Sequence, residues 1–295
     1  MGAPAVSVIM VAYRTGPPLF RSIDRVLAEP LAGQLVLVDN GSAPEDEAAL
    51  RELAAREPRF TLVQGQGNVG FARGCNLGAQ AATGDWLIVL NPDAYLQPGC
   101  LAALVAGGQG FPSPCVVGAR VLNTDGSEQR GARRGEVTPL STLLSLTHLA
   151  ALPALRRFEI HFDDQPVPAA PTAVPTISGA CLCMSRADYA ALGGFDEGYF
   201  LHVEDIDLCW RARQAGGAVV FQPAATVLHE GSTSEAPSLA VEMHKGRGLN
   251  RYFMKRAANL PARALALALS PVILLACAAR PLARALLGPA RGRLN

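Results

Sequence analysis

Residues 85–96 read DWLIVLNPDAYL. Trp86 to Leu90 form an unbroken apolar run of strand length that halts at Asn91, Pro92 and Asp93. A strand that is apolar at every position, rather than at alternate ones, is covered on both faces, and parallel sheets sandwiched between helices create that condition. Pro92 ends the ladder where its missing N–H does no harm. Asp93 then emerges where a core strand has no structural use for an acid.

The same sentence is written elsewhere in the first half of the chain. VSVIMVAYRT (6–15) and QLVLVDNGS (34–42) are apolar runs with polar ends, and FTLV (60–63) is a shorter one. Helix-compatible stretches near 17–29, 44–56 and 70–82 separate them. Strands alternating with helices at this spacing predict an α/β fold with a mostly parallel, doubly wound sheet and helices on both faces. In such sheets ligands bind outside the carboxyl ends of the strands. Tyr13, Asp39 and Asp93 are therefore expected on one rim.

Beyond a helix expected at 98–107, CVVGARVLNTDGSEQR (115–130) reads as a strand and turn, and 125–175 carries few regular signals. DDQPVPAAPTAVP (163–175) is loop material. TISGACLCMS (176–185) reads as one strand and SRADYAALGG (185–194) as a short helix capped by Ser185, with Gly193 after its end. GYFLHVEDIDLCWRARQAGG (198–217) contains a helix opening rich in acid, and AVVFQPAATVLHEGSTS (218–234) strand material ending at His229.

Composition sets the outer bounds. The 295 residues are enough for one large α/β domain, and a formal charge of +1 gives no ground for nucleic acid as a partner. The charge is unevenly spread: all 25 acids lie at or before Glu242, and the last 53 residues carry ten Lys and Arg. That tail includes ALALALSPVILLACAA (264–279), largely apolar, flanked by Arg263 and Arg280 and interrupted by Pro271. It is short for a spanning helix, which needs roughly 20 apolar residues. An interfacial segment drawn to an anionic membrane surface, or an Ala/Leu-rich helix packed on the domain, fits it. MGAPAVSVIM has no basic opening and runs straight into a strand pattern, so a cytoplasmic body is expected, peripheral on the inner face of the membrane if the tail is interfacial. The seven cysteines are odd in number and scattered, which suits buried thiols and offers no second pair for a structural metal.

Residues with chemical potential are few. Glu204, Asp205 and Asp207 open a helix, where acids also simply favour the macrodipole. Glu204 and Asp207 are three apart and share a face, with Asp205 turned roughly 100° away. One acid, Asp205 or Glu204, is thus available as a general base, while Val203, Ile206 and Trp210 form a buried stripe. Asp39 in VDNGS is either a turn former or an acceptor for a base or ribose. No G-x-G-x-x-G follows the first strand, which removes the main support for a dehydrogenase.

The run NVGFARGCNLGAQAATGDWLIVLNPD (68–93), together with VSVIMVAYRT, VDNGS, GGFDEGYFLHVEDIDLCWRARQAG (193–216) and HEGSTS (229–234), resembles the family 2 glycosyltransferases of GT-A fold, within them the rhamnosyltransferase-type group, over about residues 5–255. The resemblance implies a GT-A domain over 1–258, with a nucleotide-sugar half to about 122 and an acceptor and catalytic half over 123–258, followed by a basic apolar tail over 259–295. It implies an inverting, metal-dependent enzyme that moves a sugar, rhamnose by the subgroup, from a nucleotide-diphosphate donor to a lipid-linked or polysaccharide acceptor in cell-envelope glycan synthesis. Ala12, Tyr13, Asp39 and Arg73 match the nucleotide pocket. NPD stands at the family's D-x-D element, so that Asp93 matches the ligand of a divalent cation, Mg or Mn, and Asn91 replaces the first acid. Asp205, with Glu204 beside it, matches the base, and His229 a residue facing the metal or diphosphate, although Ser232 occupies a position where the family has glycine. Lys245 and Arg247 in HKGRGLNRYFMKR (244–256) are phosphate-binding residues or an ordinary solvated face.

Two other classes share parts of this pattern. A sugar nucleotidyltransferase needs a Gly-rich, basic loop after the first strand, which AYRTGPP does not supply. A non-catalytic nucleotide-sugar-binding module of a glycan assembly complex needs only the donor side, and Asn91 suits it.

Overall fold

The computed structural model describes residues 5–147, 149–231 and 238–287. The first half runs β1 (Val6–Ala12), α1 (Pro17–Leu27), β2 (Ala32–Asp39), α2 (Pro44–Arg56), β3 (Phe60–Val63), α3 (Phe71–Ala81), β4 (Trp86–Leu90), β5 (Ala94–Leu96), α4 (Cys100–Gly107) and β6 (Cys115–Leu122). The second half runs β7 (Arg133–Arg134), α5 (Pro139–Leu146), β8 (Thr172–Ala173), β9 (Thr176–Ile177), β10 (Cys181–Ser185), α6 (Arg186–Ala191), α7 (Glu204–Gln214), β11 (Ala218–His229), α8 (Ser238–Arg256) and α9 (Leu260–Leu287).

The main sheet has the order β3-β2-β1-β4-β10-β6-β11-β5, with β8 pairing on β11. The first four strands are mutually parallel, and β6 and β11 are parallel to each other. Only β10 and the short edge strands β5 and β8 run the other way. All seven residues of β1 are buried, as two-sided cover requires. Val6, Val8 and Met10 enter one core layer, with α1 and α4, while Ile9 and Val11 enter the other, with α3, α6 and α7. That is the two-residue period of a strand. Fully burying each such side chain is worth about 1.5–3 kcal/mol. Cys181 and Cys183 of β10 share the first layer, and all seven thiols are free and buried.

One local expectation is corrected, and two local features are added. The stretch 176–185 is two strands: β9 pairs with β7 in a separate ribbon, and β10 joins the main sheet. Ser178, Gly179 and Ala180 turn between them, and this break has a use at the rim. Ala94–Leu96 is a strand and pairs antiparallel with the end of β11, register His229 with Ala94. The acid-rich helix begins at Glu204, as expected, and the two residues before it, His202 and Val203, are left-handed, with φ of 68° and 74°. Two successive non-glycine residues there are strained. Gly248 of α8 accommodates them, since a Cβ on it would meet Val203 Cγ2 at 3.0 Å and His202 O at 3.1 Å.

The tail is also settled locally. α9 runs continuously through Pro271 at the loss of a backbone bond. Leu260–Pro281 is long and apolar enough to cross a membrane by length and composition, which the 16-residue reading missed. Ala266, Ile273 and Cys277 nevertheless pack into a third core with α7 and α8. The opposite face exposes Leu260, Leu265, Leu267, Val272 and Leu275.

The joint between α7 and α8 is ionic. Asp207 is fully buried and binds Arg211 Nε at 2.7 Å and Lys255 Nζ at 2.7 Å, while Tyr199 Oη donates to it at 3.3 Å. Removing one partner of a buried pair strands the other charges, at about 3–5 kcal/mol. Arg211 and Lys255 keep some solvent contact, so Asp207→Ala should cost about 3 kcal/mol, the low end of that range, read as a lowered urea midpoint at unchanged slope.

Candidate active site

The carboxyl ends of β1, β2, β4, β6 and β11 share one rim, and antiparallel β10 places its beginning there too. A cleft of about 460 Å³ opens along it. β4 lies inside the sheet and β5 at its far edge, so Asn91–Pro92–Asp93 crosses the rim between them. Asn91 N donates to Ala180 O at 2.9 Å and Glu230 N to Asp93 O at 3.1 Å, which pins the crossing at both ends.

The crossing brings Asp93 against His229. Nε2 of His229 lies 3.1 Å from Asp93 Oδ1 and 3.2 Å from Asn91 Nδ2. Nδ1 lies 2.7 Å from Gln129 Oε1. Gln129 arrives by the turn after β6, and its amide is oriented because Nε2 donates to Asn123 Oδ1 and His229 O. Gln129 therefore accepts from Nδ1–H, and in the neutral ring Nε2 keeps its lone pair. That lone pair accepts from Asn91 and faces the carboxylate of Asp93. Two acceptors so close call for a cation between them, a proton or a metal. An imidazole whose far nitrogen is held by a second residue is the usual form of a His ligand. No cluster of three or more His, Cys, Asp or Glu suited to a metal exists among the described residues, and what these bring to such a site is Asp93, His229 and neutral Asn91.

Glu204 and Asp205 also line the cleft. Their neighbour Asp207 does not, because the cleft meets α7 at its end rather than along one side, and both first-turn residues reach it. Asp205 Oδ2 accepts from Arg134 at 2.8 Å and from Gly179 N at 3.0 Å. Gly179 lies in the turn between β9 and β10, and a Cβ there would stand 3.1 Å from that of Asp205. Glu204 differs. It is 6 % exposed, and burial, then the adjacent Asp205, push its carboxyl up to about 8.

The nucleotide residues expected from sequence divide. Tyr13 lines the cleft. Ala12 turns its side chain into the core and contributes a carbonyl that accepts from Asn40 N. Asp39 is buried in its own turn, accepting from Gly41 N, Ser42 N and Gln64 Nε2 at 2.8–3.0 Å, and Asn40 lines the cleft in its place. Arg73 is not on the wall: its side chain is 58 % exposed and lies 3.8 Å from Glu197. It sits in the first turn of α3, two residues after Phe71, which meets the cleft. Lys245 lines the cleft and Arg247 does not. Ser232 lies outside the described residues.

Thr15 Oγ1 and Glu204 Oε2 are buried without a hydrogen-bond partner among the described residues, as polar atoms awaiting a ligand are. Of these two, Thr15 carried no signal in the sequence. Gln129 on the wall, and Arg134 behind it, come from the stretch with few regular signals. Arg280 comes from α9, far along the chain.

The family model for glycosyl transferase family 2 matches residues 7–189. A Mycobacterium tuberculosis protein named N-acetylglucosaminyl-diphospho-decaprenol L-rhamnosyltransferase is 30% identical over 253 residues, 80% of each chain. A Myxococcus xanthus O-antigen biosynthesis protein is 26% identical over 79% of this chain and 18% of its own length. Among solved structures, GalNAc-T7 with UDP, GalNAc and Mn2+ aligns with TM-score 0.65 at 17% identity, over 88% of this chain and 49% of the other. A Pyrobaculum calidifontis mannosyltransferase with GDP-Man and Mn2+ aligns with TM-score 0.59 at 19% identity, over 98% and 77%. These structures establish the GT-A fold. The family match and the 30% relative establish that this chain belongs to the family 2 glycosyltransferases and is rhamnosyltransferase-like.

Proposed function

We propose that the protein is an inverting, metal-dependent transferase that moves rhamnose from a nucleoside-diphosphate donor to the sugar of a lipid-linked diphosphate acceptor, in envelope glycan synthesis. The observation that carries this reading is one cleft holding a cation-seeking pair, Asp93 and His229, together with an oriented carboxylate, Asp205. The relatives' names supply the sugar and the acceptor class.

On this reading Tyr13, Asn40 and Thr15 receive the nucleoside, and Asp93 and His229 would hold a divalent cation, which would supply positive charge to the leaving diphosphate. The acceptor oxygen attacks the anomeric carbon from the face opposite the diphosphate. Its bond to carbon forms as the carbon–oxygen bond to phosphate breaks, the electron pair leaves on the diphosphate, and the hydroxyl proton passes to Asp205. Glu204, pushed up to about 8 by burial and then by Asp205, keeps its proton at pH 7, and Asp205, oriented by Arg134 and Gly179 N, is the base. The apolar stripe of α9, with basic residues and no acid along this part of the chain, rests on an anionic membrane surface and keeps the body on its cytoplasmic side.

Incubation with a panel of nucleotide sugars, Mn²⁺ or Mg²⁺ and a diphosphate-linked lipid glycoside should release nucleoside diphosphate with one donor. Pyrophosphate as product, or binding without turnover, overturns the reading. Asp205→Asn should keep donor affinity and lose about 10²- to 10⁴-fold in kcat. Asp93→Ala should abolish Mn²⁺ binding by calorimetry, and Gln129→Ala, which frees the His229 ring, should weaken it about 10- to 100-fold. Glu204 binds its proton in the folded chain up to about pH 8 and releases it near the ordinary carboxyl value when unfolded, so the folded state carries the extra proton between these values. Stability then falls as pH rises through that window. Glu204→Gln should remove this fall, read as a difference in Tm at pH 8 that shrinks towards pH 5.

A further inference from the structure

Lys245 is a cation that the chemistry above leaves unused. It stands in α8, half-buried, facing the cleft, and it makes no ion pair among the described residues. Burial, and then Arg280, lower its pKa to about 8, with Glu242 opposing. Arg280 lines the same cleft from α9 and meets Glu242 Oε1 at 3.5 Å. The third basic side chain on the wall is committed, since Arg130 approaches Glu159 and His161. Arg134, behind the wall, binds Asp205 and the Ile177 carbonyl. The buried Glu242 is one carboxylate beside two cations, so this part of the wall keeps an excess of positive charge, and an oxyanion of more than one charge answers both.

We propose that Lys245 and Arg280 form the subsite for the diphosphate of the lipid-linked acceptor, separate from the donor's Asp93–His229 pair. The proposal rests on the function proposed above. The two cations belong to α8 and α9, and α9 is the element whose outer face exposes Leu260, Leu265, Leu267, Val272 and Leu275. A head group tethered to a lipid arrives on that side, with its first charged group at the helix that meets the lipid. A donor diphosphate instead follows its nucleoside, which the strand ends receive. α9 thereby serves specificity as well as anchoring: it adds the guanidinium that reads the acceptor's charge.

The test uses the full chain in detergent micelles with its nucleotide-sugar donor. Two acceptors are compared, N-acetylglucosaminyl diphosphate on a short prenyl chain and octyl N-acetylglucosaminide, which lacks the diphosphate. Lys245→Gln and Arg280→Gln should each raise KM for the diphosphate acceptor about tenfold or more, leave donor Kd unchanged and erase the preference between the two acceptors. Lys245→Arg should keep the preference, and thermal melts of all variants show that they are folded. An unchanged KM in folded variants overturns the proposal, and an equal fall in donor affinity assigns the cations to the donor instead. Failure of the unaltered chain to transfer to either acceptor overturns the functional reading, and this proposal with it.

Discussion

The backbone pairing of Ala94–Leu96 with the end of β11 is the constraint on which the site depends. β4 ends deep inside the sheet, and the next strand lies at the edge beside β11. The three residues between must therefore cross the rim, and the register His229 with Ala94 sets an imidazole beside the carboxylate that crosses. Without that pairing Asp93 would be one more acid in a turn. With it, a carboxylate and a lone pair share a space 3.1 Å wide.

The second half of the chain builds its side of the cleft by breaking regularity. A straight strand over 176–185 would carry Gly179 into the sheet, where its N–H would join a ladder. The turn at 178–180 frees that N–H for Asp205, and the left-handed pair His202 and Val203 aims the first turn of α7 at the same point. Both departures cost conformational energy. They are held by packing elsewhere: Val203 lies in the core that joins α7, α8 and α9, and the buried Asp207 ties α7 to α8 through Lys255.

The strand cores were legible because burial on both faces leaves a continuous apolar run, and α1, α2 and α3 fall within two residues of their expected spans. Asp93, Glu204, Asp205, Tyr13 and His229 were legible because each follows a strand or opens a helix at a rim the topology makes common. Arg73 lies beside Glu197 rather than on the wall, because a motif gives a residue's neighbourhood but not the direction of its side chain. Asp39 shows the limit in another form: the acid is there, and its own turn absorbs most of it. Gln129, Arg134 and Arg280 had no local mark, since what each does depends on a partner 71 to 100 residues away or on another helix.

By itself the sequence determined the layers: which runs are buried on two faces, which stretches coil between them, and which polar residues end at the rim. These follow from periodicity and burial, which are properties of neighbours along the chain. Only the tertiary structure decided the electrostatics. It paired Asp93 with His229, gave Asp205 its guanidinium, buried Glu204 until it holds its proton to about pH 8, and brought Arg280 from the tail beside Lys245. Charge interactions act through space at a few ångströms, so their outcome waits on which strand lies next to which.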